Sequence, residues 1–167
     1  MSRLVITPQD LEAIGRHGEA TFPEECCGFL IGRSLSGGAG DAGGDGGETT
    51  TVVERLIPVA NERADSRHNR YVIEPETVLA AHKEARAAGA DVVGYYHSHP
   101  DHPSRPSDFD REHAWPGLSY LIVSVQQGRA ADSRCWRLAD DRDRFDEERI
   151  DSTAAPAASV SLEKEAV

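Results

Sequence analysis

The sequence predicts an α/β protein in which one mixed β-sheet is packed around by helices. Three observations carry this. Short apolar, β-branched runs recur along the chain, two amphipathic stretches of helical length separate them, and no internal repeat is visible. With 167 residues the chain is sized for one domain, on a scale of about 150 residues per domain, and can bury a core without disulfides.

The elements follow in order. "RLVI" at 3–6 reads as a short strand. "TPQDLEAIGRHGEA" reads as a helix: Thr7 is its N-cap, Pro8 takes the first helical position, and Asp10 stands at the capping-box spacing. Leu11, Ile14 and Gly18 share one helical face and are expected to point inward. Pro23 ends this region. "CCGFLIGR" is a buried strand in which Gly28 and Gly32 mark close backbone approach.

Residues 34–48 are Gly-rich and of low complexity, and read as a flexible loop joining two strands. They lack the GxxxxGK[ST] pattern of a phosphate-binding loop, and no helix follows. "TTTVVERLIPVA" is the next strand, and "RYVIEP" at 70–75 is read as another. "PETVLAAHKEARAAGA" is a helix that starts at Pro75 and stops at Gly89. "DVVGYYHSHP" is a strand, and "SDFDREHAW" a short helix capped by Ser107. "LSYLIVSV" at 118–125 is the most hydrophobic strand and is placed centrally; "SRCWRLA" at 133–139 follows it. One domain is thus expected over 1–150, with 151–167 a disordered tail.

Charge and cysteine content exclude several functions. The formal net charge of −11 argues against nucleic-acid binding and against anionic membrane surfaces. No apolar run approaches the roughly 20 residues of a membrane span, and the N-terminus lacks the pattern of a secretory signal. Cys26, Cys27 and Cys135 make a poor disulfide framework and suit a reducing cytoplasm. No CxxC pair is present, so a thiolate zinc ribbon is excluded.

The chemistry lies in "GYYHSHPDHPSRPSDFD", Gly94 to Asp110. Side chains two apart on a strand share a face, so His97 and His99 present two imidazoles together while Ser98 points away. Pro100, Pro103 and Pro106 stiffen the loop that follows. Asp110 then arrives in the first turn of a helix. Two imidazoles and a carboxylate suit Zn²⁺, and three protein ligands leave a coordination position open, which is the pattern of a catalytic site. Such a site needs a proton acceptor. Glu24 and Glu25, in "FPEECCGFLIG" before a buried strand, are the candidates. Taken alone, Ser107 and Asp110 favour a plain capping box, and Glu25 a surface carboxylate. The chain is too short for a typical barrel of about 250 residues carrying an HxH pair, and the zinc-deaminase pattern is absent.

The full pattern, H-x-H, seven residues, S-x-x-D, resembles the JAMM motif of the MPN+ (Mov34/MPN/PAD) zinc metallopeptidases. "FPEECCGFLIG", "RYVIEPE", "DVVGYYHSHP" and "SYLIVSV" resemble other segments of that family, so the likeness covers roughly residues 3–140. It implies a cytidine-deaminase-like fold over 1–150, with His97, His99 and Asp110 binding one Zn²⁺. It implies Glu25 as general acid/base, Glu24 as a bystander, and Ser107 as a hydrogen-bond donor to the oxyanion. The substrates it implies are peptide or isopeptide bonds at the C-terminus of ubiquitin-like β-grasp proteins, and the compact prokaryotic type acts on sulfur carriers. There is no room between Asp110 and Leu118 for the long insertion of some deubiquitinases. The chain is expected to be a cytoplasmic monomer or homodimer.

Two other functions share these residues. One is a non-catalytic scaffold of the same fold. The other is a zinc hydrolase on an unrelated substrate, as in a similar DNA-repair-associated family, which the acidic charge disfavours. His102 is a candidate for substrate contact. His17 and His82 are expected at surface or boundary positions, His68 and His113 exposed, and Cys26 and Cys27 in the core.

Overall fold

The computed structural model describes residues 2–36, 48–61 and 71–153. Among them are seven strands and three helices, in the order β1 (Arg3–Val5), α1 (Pro8–Thr21), β2 (Cys27–Ser36), β3 (Thr49–Val59), α2 (Pro75–Ala87), β4 (Asp91–Pro100), α3 (Asp108–His113), β5 (Ser119–Gln126), β6 (Arg129–Leu138) and β7 (Phe145–Asp151).

Both long helices begin as the sequence dictates. The Thr7 hydroxyl accepts the Asp10 N–H at 3.1 Å, with Pro8 as the first helical residue. Gly89, at φ +72, follows the last turn of α2 in the left-handed region that ends many helices. Ile14, Gly15 and Gly18 form the buried face of α1, with Leu11 packed against its margin.

The strands form a closed barrel in the order β1-β3-β2-β4-β5-β6-β7, with β7 returning to β1. This corrects the expectation of a sheet flanked by helices: the sheet is mixed, but it curls until its edges meet. β4–β5, β1–β3 and β1–β7 pair in parallel and the remaining neighbours antiparallel. β5 lies between β4 and β6 and is buried from Ser119 to Val125, as its composition predicts.

β4 divides the core into two layers, and a bulge at Val93, which has no register partner in β2, lets Val93 and Tyr96 share one of them. Val93 and Tyr96 join Leu4, Ile6, Leu30, Leu121 and Val125 in the cluster that includes Ile14 of α1. Val92 packs instead with Phe29, Ile31, Ala81 and Ala85, beneath α2. Gly28 and Gly32 are the close approaches expected. A Cβ on Gly28 would stand 2.3 Å from the Tyr96 ring, and one on Gly32 would stand 1.8 Å from the Val52 carbonyl oxygen.

Three expectations are corrected. Residues 71–74 form no strand; they run irregularly into α2. β7 was not foreseen, and it extends to Asp151, one residue into the expected tail. β2 and β3 reach to Ser36 and Thr49, so the Gly-rich link between them is shorter than 34–48. Its residues 37–47, the tail 154–167, Arg70 and His68 lie outside the described residues.

Candidate metal centre

β4 delivers the two imidazoles. His97 lies in mid-sheet, opposite Cys27 of β2 and Ile122 of β5, and is 1% exposed. His99 sits two residues on, near the strand end, and is 7% exposed. Their Nε2 atoms are 3.1 Å apart. The Tyr71 ring stacks on His97 with centroids 4.7 Å apart, and Val72 and Ile73 line the cavity beside it.

The loop after β4 is pinned to the barrel. Asp101 takes φ +54, donates its N–H to the Val125 carbonyl at 2.7 Å, and accepts the Gln127 N–H at 2.7 Å. The Trp136 indole N–H donates to the Ser104 carbonyl at 2.9 Å, and the Ser104 hydroxyl bonds the Asp132 carboxylate. This fixed loop orients His99, whose Nδ1 lies 2.8 Å from the Pro103 carbonyl. A carbonyl can only accept, so that nitrogen carries a proton, and Nε2 is the nitrogen left to serve a metal.

α3 supplies the carboxylate. Asp110 Oδ1 is 3.2 Å from His97 Nε2, and Oδ2 is 3.2 Å from His99 Nε2. The capping box is also present: the Ser107 N–H donates to Asp110 Oδ2 at 2.7 Å, and the Asp110 N–H donates to the Ser107 hydroxyl at 3.1 Å. The sequence set capping against ligation for Asp110. The structure shows the cap and sets the same carboxylate against both imidazoles, since a carboxylate has lone pairs enough for both. Ser107 accepts through its oxygen, so its own proton stays available for donation.

The donor atoms of His97, His99 and Asp110 lie within 4.8 Å of one another, and the three residues could hold a metal ion. Their electrostatics reflect crowding. Burial pushes His97 down. Burial also acts to lower His99, but Asp110 and the Pro103 carbonyl outweigh it and leave it raised. Burial acts to raise Asp110, yet the two imidazoles hold it well below the carboxylate range.

Glu25 is brought to the same place. It is 4% exposed, whereas Glu24 beside it is exposed. Its Oε2 is buried without a hydrogen-bond partner among the described residues. Burial pushes its carboxyl up to about 8; His99 opposes this and Asp110 adds to it. Glu25, His99, His102 and Ser107 line one cavity of about 440 Å³. On the other side of the trio, His97 and Asp110 wall an apolar cavity of about 190 Å³ with Tyr71, Tyr95, Tyr120 and Phe145.

The remaining candidates are placed elsewhere. His17 is half-buried and pairs with the Tyr96 hydroxyl at 2.8 Å, while His82, His102 and His113 are exposed. The three cysteines are free and buried, and burial first of all drives the Cys26 thiol up to about 12, far from a reactive thiolate. Tyr71, Pro103 and the Ser104–Asp132–Trp136 brace escaped sequence reasoning, since contacts across long separations leave no local pattern.

A family profile described as prokaryotic homologs of the JAB domain matches residues 7–139. The chain belongs to this family. It is of the compact prokaryotic JAMM/MPN type, as its motif indicated. It is 41% identical over 103 residues to a desampylase of Haloferax volcanii, which is 61% of this chain and 63% of that one. It is 35% identical over 78 residues to a probable TtuB-protein conjugate cleaving protease of Thermus thermophilus, which is 47% of this chain and 52% of the relative. The chain thus spans 63% and 52% of these two relatives' lengths. Among solved structures, a Desulfitobacterium hafniense protein superposes with a TM-score of 0.68 at 31% identity, covering 89% of this chain and 91% of that one. No helix of the described JAB-family chain is long and apolar enough to cross a membrane.

Proposed function

We propose that this protein is a zinc-dependent peptidase or isopeptidase acting at the C-terminus of a ubiquitin-like β-grasp protein, with residues 1–150 as its catalytic domain. One observation carries the reading. Three inward-facing donor atoms of His97, His99 and Asp110 converge beside a buried carboxyl, Glu25, whose Oε2 has no hydrogen-bond partner among the described residues. The donor set fits the ion: two imidazoles and a carboxylate match Zn²⁺ preferences, and the Pro103 carbonyl fixes the His99 tautomer as a ligand requires.

His97, His99 and Asp110 would hold the zinc. Bound there, it would supply Lewis-acid polarisation of the attacking water and the scissile carbonyl. Glu25 takes a proton from that water as its oxygen bonds the carbonyl carbon. The same proton passes to the departing nitrogen as the C–N bond breaks. A cation nearby favours the charged carboxylate, so Glu25 is ready to accept. The Ser107 hydroxyl donates to the oxygen that gains negative charge.

The named activities of the two relatives support a ubiquitin-like substrate. We extend this to a sulfur carrier, with release of cysteine, of a C-terminal extension, or of a conjugated protein. We place the protein in the cytoplasm, with which its three free thiols accord.

The test mixes zinc-loaded protein with β-grasp carriers of the same genome, bearing a C-terminal cysteine, a longer extension or a conjugate. Mass spectrometry reads the products. Cleavage that stops in Glu25→Gln supports the reading and names the bond. Carrier binding without cleavage, with zinc bound, replaces it with a scaffold role; zinc binding with no carrier bound points to an unrelated substrate.

A further inference from the structure

Glu25 belongs to neither α1 nor β2. It stands in the irregular link between them, which ends at Cys26. Such a link does not fix a side chain by itself, yet acid/base work needs the carboxyl held to within a fraction of an ångström. The regular β2–β4 ladder ends at the pair Cys27–His97. Pairing nevertheless continues one residue further, and Ser98 does it. Its N–H donates to the Cys26 carbonyl at 3.2 Å, and its hydroxyl accepts the Cys26 N–H at 2.8 Å. The second bond replaces a ladder partner with a side chain.

Ser98 cannot turn away from this task. It is fully buried, on the face of β4 opposite the two histidines. α1 lies against it: a Cβ on Gly18 would stand 3.2 Å from the Ser98 Cβ, so only glycine lets the helix come this close. The link has other anchors on either side, among them the Thr21 hydroxyl, which donates to the Glu24 carbonyl at 3.2 Å. The Glu24 N–H donates to the Thr21 carbonyl at 2.9 Å, and the Asn61 amide to the Glu25 carbonyl at 3.4 Å.

We propose that Ser98 is a positioning residue: standing between His97 and His99, its hydroxyl fixes the Cys26 amide and so sets where the Glu25 carboxyl lies relative to the metal-binding trio. The strand that brings the two imidazoles thus also fixes the acid/base. This rests on the role proposed above for Glu25.

Two variants separate positioning from packing. Ser98→Ala keeps the packing but removes the acceptor. Ser98→Thr keeps the acceptor and presses a methyl group against α1. Ser98→Cys, close to serine in shape but a poor acceptor, stands in if the alanine chain does not fold. Residue-resolved amide exchange on the metal-free chain reads the anchor directly. In Ser98→Ala the Cys26 amide should lose protection by about tenfold or more while the β4–β5 ladder amides keep theirs. In Ser98→Thr the Cys26 amide stays protected although melting temperature falls. With zinc bound in each, kcat on a cleaved carrier should fall roughly 10–100-fold in Ser98→Ala at near-constant KM, and recover in Ser98→Thr. An unchanged Cys26 amide in Ser98→Ala overturns the proposal. So does a loss of kcat that follows melting temperature equally in both variants. If Glu25→Gln keeps full turnover, the assignment of Glu25 fails, while the amide result still decides the anchor.

Discussion

Replacing Glu25 by glutamine should stabilise the metal-free protein, increasingly so as pH rises. An ordinary glutamate loses its proton near 4.5, whereas burial holds this one until about 8. Between these values the unfolded chain is ionised at this residue and the folded chain is not. The folded state then binds the extra proton, so stability falls as pH rises from 4.5 to 8 and levels off above. At about 1.36 kcal/mol for each tenfold step, the penalty is negligible near pH 4, about 3 kcal/mol at pH 7 and roughly 5 kcal/mol above pH 8. Glutamine never ionises and keeps nearly the same shape, so the variant escapes the penalty. For a chain of this size 1 kcal/mol moves the melting temperature by about 2–4 °C, which gives an advantage of roughly 6–12 °C at pH 7. The assay is urea and thermal unfolding of both chains at pH 4, 5.5, 7 and 8.5 in the presence of a chelator. Subtracting one curve from the other removes the groups common to both. A difference that does not vary with pH would refute the reasoning, because it would mean that Glu25 ionises normally in the folded chain. Added zinc should shrink the difference, since a nearby cation favours the carboxylate.

Four further outcomes are expected. Ser107→Ala removes the cap of α3 and the proposed oxyanion donor, so unfolding should show a loss of about 1 kcal/mol while turnover falls by roughly 10²-fold or more; a stability loss alone would reduce Ser107 to a cap. Asp110→Asn keeps the shape of the capping residue but not its charge, and elemental analysis should find the protein-bound zinc lost while the circular dichroism stays unchanged. Gly28→Ala puts a methyl group 2.3 Å from the Tyr96 ring, and urea titration should register a loss of about 1–3 kcal/mol. Arg137→Met leaves Glu148, 2% exposed and 3.4 Å from the Arg137 Nε, without its cation; stability should drop by roughly 3–5 kcal/mol and largely return in the double variant with Glu148→Leu.

Local signals were legible in the sequence and long-range ones were not. Thr7, Pro8, Pro75 and Gly89 mark helix ends through backbone chemistry that needs no tertiary context. β7 stayed hidden because its inward residue Glu148 is charged. "FDEERID" therefore reads as a solvated stretch until Arg137, in β6, is brought against it. The segment "YVI" misled in the opposite direction. Its apolar residues wall a cavity and cover His97, so burial is achieved without a strand partner. Barrel closure could not be read, since it depends on β1, three residues long, finding two parallel partners far along the chain.

For the candidate site, spacing brought His97, His99 and Asp110 together correctly, because strand and helix geometry fix such distances. It could not choose between Glu24 and Glu25 without the resemblance; the structure buries Glu25 and leaves Glu24 exposed. It also set capping against ligation at Asp110, whose carboxylate accepts the cap while facing both imidazoles. Ser98 was noticed only as pointing away, and its contact with Cys26 spans 72 residues of sequence.

The seam between β1 and β7 bears on synthesis. Val5 leaves the ribosome long before its neighbour Asp151, which emerges only when translation of the barrel is almost complete. Until then β1 has β3 alone, and β6 exposes an unpaired flank, an invitation to pairing with other nascent chains. Contacts this distant in sequence also slow folding. A message cut short before Phe145 would therefore yield a polypeptide with every candidate site residue, Glu25 to Asp110, and two raw edges, better suited to aggregation than to work.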